Sequence, residues 1–331
     1  MKKYLSSIVI TFFALFIILW FIPLKRIPEI PKQIKPWGII LGFLFYLLSY
    51  AAVSLRWNIL FSESLGKTGL LQRLTLIPIT AVHQFMANFL PARTGDLTIV
   101  YLANKKLNIN SSLAMSSLIL ARAFDVMILG CSALLFICVY HKNRLVFHPG
   151  ATIFALVFVS VPLAGILLCV FRGRNIGGWL NKIVGARLHS RGWSRGEKIV
   201  EFLARTAHLL GTKKSTIFYI KCISSTILIL ALRIVYLGLF ALHTTDSVPP
   251  GAAALVGFST LIVSAIPIQG FLGLGSFEGG WTLGYVLSGL SPERGLLTAI
   301  GAHLLIVLFL LFSGITGNLI LSRKIPDKKD L

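Results

Sequence analysis

Six stretches of the 331-residue chain contain no Asp, Glu, Lys or Arg, and each is close to or longer than the roughly 20 residues that a membrane-spanning helix needs. They are 4–24, 36–55, 74–92, 145–171, 247–277 and 295–322. Only 13% of the residues are charged whereas 56% are apolar, a balance that excludes an ordinary soluble fold. The sequence therefore predicts an all-α polytopic membrane protein, with a single integral membrane domain over residues 1–331.

The positive charges mark one loop as cytoplasmic. The chain has 32 Lys and Arg against 11 Asp and Glu, a net charge of +21 that in a soluble protein would suggest a nucleic-acid partner. Ten of the basic residues lie between Arg172 and Lys214, opposed only by Glu197 and Glu201. Because cytoplasmic loops are rich in Lys and Arg, we expect the basic loop 172–215 to be cytoplasmic and expect no nucleic-acid partner. The loop either only signals topology, with a solvated helix, or binds anionic headgroups.

The chain follows the same plan on either side of the basic loop. Residues 216–321 hold a span, a hairpin over 251–291 that is broken by prolines and glycines, and another span. Residues 37–140 likewise hold a span, a hairpin over 74–107 and a span. With one further helix before each repeat, this predicts about six full transmembrane helices and two helical hairpins.

We predict that the two hairpins are re-entrant and that the two repeats are inverted. The C-terminal tail carries four Lys and Arg and is placed in the cytoplasm with the basic loop, so the chain between them crosses an even number of times. The arms of the second hairpin are short for full spans, so this hairpin enters and leaves on the outer side. The opening spans of the repeats then run in opposite directions, a transporter signature. Basic residues between the first two spans leave the reverse orientation of the first repeat open.

An ionisable side chain at membrane depth costs free energy, so each one suggests a structural or functional role. Asn88, Arg93 and Asp96 surround the Pro/Gly break of the first hairpin. Arg93 could hold a phosphate with two N–H groups while the start of the following helix offers backbone N–H groups to the same anion. Alternatively, Thr94 or Asp96 only caps that helix and Arg93 extends to the membrane surface.

Arg122 and Asp125 are three residues apart on a long apolar helix, so their side chains share one face and can neutralise each other. The pair is either a structural clasp or a contact that opens when an anionic headgroup competes for Arg122. Arg233 lies in the middle of another span with no acid nearby in sequence. Its partner is then Asp125 or Glu278, or it faces a cavity unpaired and awaits an anion.

Glu278 is the only charged residue in the stretch 247–292. It either stabilises a helix start, where the macrodipole favours an acid, or meets a cationic headgroup or a proton. Gln269 and His303 are nearby polar groups, each able to serve as an interhelical hydrogen bonder. The residues predicted to bind a lipid headgroup or line its cavity are Asn88, Arg93, Asp96, Arg122, Asp125, Arg233, Gln269, Glu278 and His303.

Three segments carry a resemblance to a known family: NFLPARTGD at 88–96, ARAFD at 121–125 and IPIQGFLGLGSFE at 266–278. With them, nearly the whole chain resembles the transmembrane flippase region of the lysylphosphatidylglycerol synthase family, which also occurs as stand-alone membrane proteins. The sequence departs from the family pattern at Ala121, where an acid is frequent, and at Asp96, where Glu is usual. The resemblance implies translocation of a lipid between leaflets, or export of hopanoids or polyprenyl-linked sugars. We expect neither the soluble aminoacyl-transfer domain nor lysine transfer to lipid.

We therefore expect a lipid flippase or lipid-transport protein that moves a phospholipid or a polyprenyl- or isoprenoid-linked lipid between membrane leaflets. The alternatives are a membrane-embedded lipid or glycosyl transferase and a non-catalytic subunit of a lipid-linked glycan pathway. Because the sequence has no paired-acid metal motif, GxSxG or phosphate-binding loop, we expect no enzyme activity, metal or cofactor. The expected partners are membrane lipids, anionic or sugar-linked, and a second copy or a cytoplasmic glycosyltransferase. The expected location is the plasma (inner) membrane of a prokaryote, multi-pass, with both termini cytoplasmic.

Overall fold

Helices dominate the part of the chain that the structure describes. The computed structural model describes residues 34–66, 74–139, 172–185, 194–212, 214–244, 248–266 and 270–324, together with 153, 157, 160, 161, 164 and 165. Within these residues the only extended pairing is a single bridge between Ile34 and Thr244. The all-α polytopic membrane fold is therefore confirmed.

The helices are labelled in chain order. They are α1 (Pro36–Leu60), α2 (Ser62–Leu65), α3 (Leu76–Phe89), α4 (Leu97–Leu107), α5 (Ser111–Val139), α6 (Ser194–Leu210), α7 (Thr216–Leu242), α8 (Pro250–Ala265), α9 (Ser276–Leu287) and α10 (Pro292–Lys324). Two 3₁₀ turns occupy Pro91–Asp96 and Phe271–Gly273, and helical residues 172–179 continue into a π-helix at Leu180–Gly185.

Four helices, α1, α5, α7 and α10, are long and apolar enough to cross a membrane. Their bounds lie within a few residues of the predicted spans 37–60, 111–140, 216–243 and 295–321, because a predominantly apolar stretch of sufficient length is a local property of the sequence. The fifth predicted span, 4–24, lies outside the described residues. The sixth, 145–171, lies outside them except for six scattered residues, which are all helical.

Two pairs of shorter helices interrupt this series of spans. Helices α3 and α4, which follow α1, are joined through the 3₁₀ turn Pro91–Asp96. Helices α8 and α9, which follow α7, are joined across the turn Phe271–Gly273. Both predicted hairpins are therefore helix–turn–helix elements with breaks where the sequence has proline and glycine. Their entry from opposite membrane faces, and the repeat boundaries, stay predictions.

The chain divides into two compact units. Unit 1 comprises Met1–Ser54, Leu74–Thr98 and Ile227–Lys324. Unit 2 comprises Leu55–Arg73, Ile99–Thr226 and Ile325–Leu331.

In unit 1, the two arms of the second hairpin pack closely through glycines. Gly280 and Gly284 lie on α9 where an added Cβ would fall 2.7 Å from Thr260 Cα and 2.5 Å from Val256 Cα of α8. The Ser259 hydroxyl of α8 also donates to the Gly280 carbonyl at 2.8 Å. Small residues four positions apart allow two helices to approach within backbone contact, and interhelical hydrogen bonds then add to the packing.

Within unit 1, the long helix α10 packs against α3, the first arm of the first hairpin, and against α9, the second arm of the second hairpin. Gly314 of α10 lies directly against the Phe85 ring of α3. On the α9 side, the buried indole N–H of Trp281 donates to the Thr298 hydroxyl at 3.1 Å. Because its polar group is satisfied, the indole can fill the contact between α9 and α10 with apolar surface.

In unit 2, α6 packs against α5 and against the π-helix. Helical residues 172–179 approach α6 through Gly173 and Gly177, where an added Cβ would lie 2.5 Å from the carbonyl oxygens of Ala207 and Ala204. The basic loop therefore contains packed helices, and α6 leaves the apolar side chain of Ile199 57% exposed.

Candidate functional site

The breaks of the two hairpins share an unusual backbone conformation. Arg93 in the first turn has φ 53°, and Leu272 in the second has φ 58°. Asn108 is the only other residue besides glycine with positive φ in the described part of the chain. A left-handed conformation costs a residue with a Cβ about 1–3 kcal/mol, and such strain persists where the surrounding structure enforces it, often at functional sites.

The two turns contact each other within unit 1. The 3₁₀ turn Pro91–Asp96 packs against the turn Phe271–Gly273, which also contacts α3. The Arg93 guanidinium donates to the backbone carbonyl of Ser264, the penultimate residue of α8. The last carbonyls of a helix lack partners within it and carry partial negative charge, so a cation stabilises them. Arg93 of the first hairpin thus caps the broken end of the second.

The close turn of the first hairpin depends on Gly95. An added Cβ there would overlap the backbone carbonyl of Met86 in α3. Asp96, which follows it and precedes α4, is 9% exposed. Asn88, one turn before the break, donates its side-chain N–H to the Gln84 carbonyl at 2.8 Å. Arg93 and Asp96 therefore lie in the 3₁₀ turn itself, and Asn88 lies in the last turn of α3 that precedes it.

Glu278 and His303 form a buried pair beside the second turn. His303 Nδ1 lies 2.6 Å from Glu278 Oε1, and the two residues are 5% and 3% exposed. The other carboxylate oxygen accepts the backbone N–H of Gly275 at 2.8 Å, which caps the start of α9. The Phe277 ring stacks on the imidazole, with centroids 4.5 Å apart. Glu278 therefore lies at a helix start, one of the two alternatives for it, and contacts His303 of α10, another of the predicted residues.

The hydrogen bonds of this pair fix its charge. His303 Nε2 lies 3.0 Å from the Leu272 carbonyl, which can only accept, so Nε2 carries a hydrogen. One further proton is shared between Nδ1 and Glu278, which gives either imidazolium with carboxylate or neutral imidazole with carboxylic acid. Both arrangements have zero net charge, so the pair can be buried at much lower cost than either ion alone. The same contact holds the left-handed Leu272 against α10.

Asp125 in unit 2 lies between two arginines. Arg122 Nη1 is 3.3 Å from Asp125 Oδ2, which is the contact that their three-residue spacing suggested. Arg56 of α1 forms a second, bidentate ion pair with the same carboxylate, and its side chain is only 4% exposed. Among the described contacts, this one carboxylate therefore binds two arginines. Sequence reasoning missed Arg56, although a charged residue inside a predicted span was the available signal.

Arg233 makes no ion pair within the described residues. Its charge acts instead on Tyr50 and Tyr236, two tyrosines of unit 1. The Tyr50 hydroxyl bonds that of Tyr46 at 2.6 Å, and Ser313 of α10 lies within reach of both hydroxyls. This cluster of hydroxyl groups was not predicted, because tyrosines in a span resemble ordinary apolar packing. Gln269 lies outside the described residues.

A comparison with protein families gives one match over most of the chain. The sequence model of the family described as the lysylphosphatidylglycerol synthase TM region matches residues 4–314. No curated protein and no solved structure gives a significant match. The match includes both hairpins, the spans α1, α5 and α7, and α10 as far as residue 314, and it agrees with the resemblance carried by the three motifs.

Proposed function

The chain belongs to the family of the lysylphosphatidylglycerol synthase TM region, and from this premise we propose that it is a lipid flippase or lipid-transport protein. It moves a phospholipid or a polyprenyl- or isoprenoid-linked lipid between membrane leaflets. The family relates the chain to membrane lipids in general, and the geometry of the two hairpin breaks supports the narrower activity.

The observation that carries the proposal is the contact between the two broken turns. Irregular backbone at membrane depth is tolerated only where it is buried in protein or lines a water-filled cavity, and discontinuous helices meet at the substrate sites of transporters. Here the Arg93 guanidinium of one turn bonds the Ser264 carbonyl at the end of the other hairpin's first arm. The buried Glu278–His303 pair lies beside the second turn.

Arg93 is the proposed contact for the anionic part of a headgroup. A guanidinium binds phosphate through two parallel N–H groups more strongly than it binds a neutral carbonyl. A phosphate that enters between the turns would therefore compete with the Ser264 carbonyl and loosen the contact between the hairpins. Asn88, in the last turn of α3, and Asp96, at the end of the 3₁₀ turn, are the further polar groups proposed to bind headgroup atoms. Glu278 and His303, already paired, hold the second turn in shape.

One basic side chain at membrane depth supports the attraction of anionic lipid. Arg233 of unit 1 has tyrosine hydroxyls nearby and no acid within the described residues. An excess cation costs less free energy in the membrane when an anion can approach it. Arg233 therefore favours an anionic or phosphate-linked lipid over a cationic one.

The test is lipid translocation by the full chain in proteoliposomes. Fluorescent lipids that differ in headgroup, including phosphatidylglycerol, phosphatidylcholine and a polyprenyl phosphate, are placed in both leaflets and the outer leaflet is bleached with a membrane-impermeant reductant. If the chain moves a lipid, the bleached fraction exceeds that of the outer leaflet alone. No excess over protein-free vesicles for any headgroup would refute the proposal.

Arg93→Lys separates the proposed role from simple charge. The substitution keeps the positive charge but loses the planar two-point contact, so we expect translocation to fall by about tenfold or more while expression stays near that of the parent. Arg205→Lys, the same change at an exposed position of α6, serves as the matched control. Equal activity of the two variants would remove Arg93 from the transport site.

A further inference from the structure

Two helices of unit 2, residues 172–185 and α6, pack against each other in antiparallel directions and are called the helical pair below. Gly173 lies against the carbonyl of Ala207, and Gly177 lies against that of Ala204, so the residue number falls along α6 as it rises along the other helix. An added Cβ at either glycine would lie 2.5 Å from the carbonyl oxygen. This backbone contact defines the packed face of each helix.

Large apolar side chains of the helical pair are exposed away from the packed face. Each helix contributes two of them, four positions apart, and residues at that spacing share one face of a helix. They are between 38% and 57% exposed and form the apolar side of the pair: Trp179, Ile183, Ile199 and Leu203. Exposed apolar side chains grouped on neighbouring elements mark a surface that contacts a protein or a membrane.

The exposed apolar residues of the two helices lie on the same side of the pair. At 3.6 residues per turn, those of each helix are offset from its packed face by about a third of a turn, in the same rotational sense. Equal offsets in the same sense point to one side when two helices are antiparallel. Five exposed charged residues are offset in the opposite sense: Arg174, Lys182, Lys198, Glu201 and Arg205. The helical pair is therefore amphipathic as a unit, with an apolar side and a charged side.

The start of α7 keeps the helical pair close to the membrane. Helix α6 ends at Leu210, and α7, which is long and apolar enough to cross a membrane, begins at Thr216. The chain between these two residues reaches at most about 20 Å when fully extended. The end of α6 therefore stays within reach of the headgroup layer in which α7 begins. Between Arg172 and Lys214 the sequence has ten Lys and Arg against two Glu, a composition typical of segments beside an anionic leaflet.

We propose that the helical pair lies in the headgroup layer of the bilayer, with its apolar side inserted at the boundary with the acyl chains and its charged side facing water. Trp and Ile on one face with Lys and Arg on the other is the composition of an interfacial helix. The indole of Trp179 suits this depth, because its ring is apolar and its N–H can bond lipid carbonyls or water.

The tether to α7 favours the bilayer over a soluble protein as the partner of the apolar side. A separate protein loses translational and rotational freedom when it binds, whereas the helical pair is already held beside the bilayer. The surface is separate from the hairpin turns, so the proposal stands whether or not the chain translocates lipid.

The test is site-directed spin labelling of the full chain in liposomes of phosphatidylglycerol and phosphatidylcholine, with the four native cysteines replaced by alanine. The label is attached to Leu203→Cys on the apolar side and, as the matched control, to Arg205→Cys on the charged side of the same helix. We expect oxygen to relax the Leu203→Cys label several-fold more than a water-soluble nickel chelate does, at a depth of roughly 5–10 Å below the phosphates. The Arg205→Cys label should show the reverse preference.

Three results would overturn the proposal. If the nickel chelate relaxes the Leu203→Cys label more than oxygen does, the apolar side faces water. If neither reagent reaches this label, protein covers the apolar side, either another segment of the chain or a second copy. If the two labels show the same ratio of relaxation, the pair does not lie with one side in the bilayer.

A second measurement keeps the native cysteines, in case the alanine variants fold poorly. The difference between the fluorescence of the parent and that of W179F isolates the emission of Trp179. Lipids brominated on the upper acyl carbons should quench this difference emission, and acrylamide in the water should leave it nearly unchanged. Quenching by acrylamide alone, or by neither reagent, would overturn the insertion of the apolar side.

Discussion

Replacing His303 by alanine should destabilise unit 1 more than any other single truncation on α10. The imidazole makes two hydrogen bonds, one to the Glu278 carboxylate at 2.6 Å and one to the Leu272 carbonyl at 3.0 Å. Removing one partner of a buried pair costs about 3–5 kcal/mol, because the remaining charge is left uncompensated. The lost donor to the Leu272 carbonyl adds about 1 kcal/mol. We therefore expect H303A to lower the free energy of unfolding by about 4–6 kcal/mol.

The assay is reversible unfolding of the purified full chain in mixed micelles, followed by intrinsic fluorescence. Leu304→Ala is the matched control, since Leu304 is the next residue of α10 and is 51% exposed. E278Q keeps an oxygen that can accept the Gly275 N–H, so it should cost only about 1–2 kcal/mol. The double variant E278Q/H303A should then cost less than the sum of the single variants by about 2 kcal/mol.

Two results would refute this reasoning. If the effects of E278Q and H303A add within about 0.5 kcal/mol, the two side chains are not coupled. If H303A costs no more than Leu304→Ala, the hydrogen bonds at the second turn contribute nothing to stability.

Three further predictions concern packing, charge and topology. R56A should destabilise the chain by about 3–5 kcal/mol, and by more than R122A does in the same unfolding assay. The reason is that the Arg56 side chain is 4% exposed whereas that of Arg122 is 26% exposed. A larger effect of R122A would contradict this prediction. G284A should shift α9 away from α8 and lower the melting temperature by several degrees. G279A is the control and should not lower it, because its added Cβ would meet nothing within 4 Å. Equal melting temperatures of the two variants would argue against close packing of the hairpin arms. Cysteines introduced into the basic loop 172–215 should react with membrane-impermeant maleimide only after the cells are opened, and labelling of intact cells would reject the predicted orientation.

At the candidate site, the sequence predicts the two helix breaks but not the contacts between them. The Pro/Gly breaks and the ionisable residues beside them are visible in the sequence, because helix-breaking residues and charges in an apolar stretch are rare enough to mark a position. Which groups meet there is not visible. Arg93 and Ser264 are 171 positions apart, and nothing in either segment indicates that a side chain of one caps the other.

In unit 2, too, the sequence shows a local contact but not a long-range one. The contact between Arg122 and Asp125 follows from helix geometry, since residues three positions apart share a face. The closer partner of Asp125 is Arg56, 69 positions away, and only the packing of α1 against α5 within the unit brings them together. Hydroxyl groups such as those of Tyr46 and Tyr50 are also recognised as a polar cluster only when their helices are assembled.

The sequence by itself determined the class of fold, the four described spans and the positions of the two helix breaks. Each of these depends on a property that a segment satisfies alone: a predominantly apolar length matched to the bilayer, or a local break in helical backbone. The tertiary structure alone decided that His303 neutralises Glu278, that Arg56 holds Asp125 and that Arg93 caps α8. An ion pair or a cap requires two groups within a few ångströms, and that distance is set by how the helices pack and not by where the residues stand in the chain.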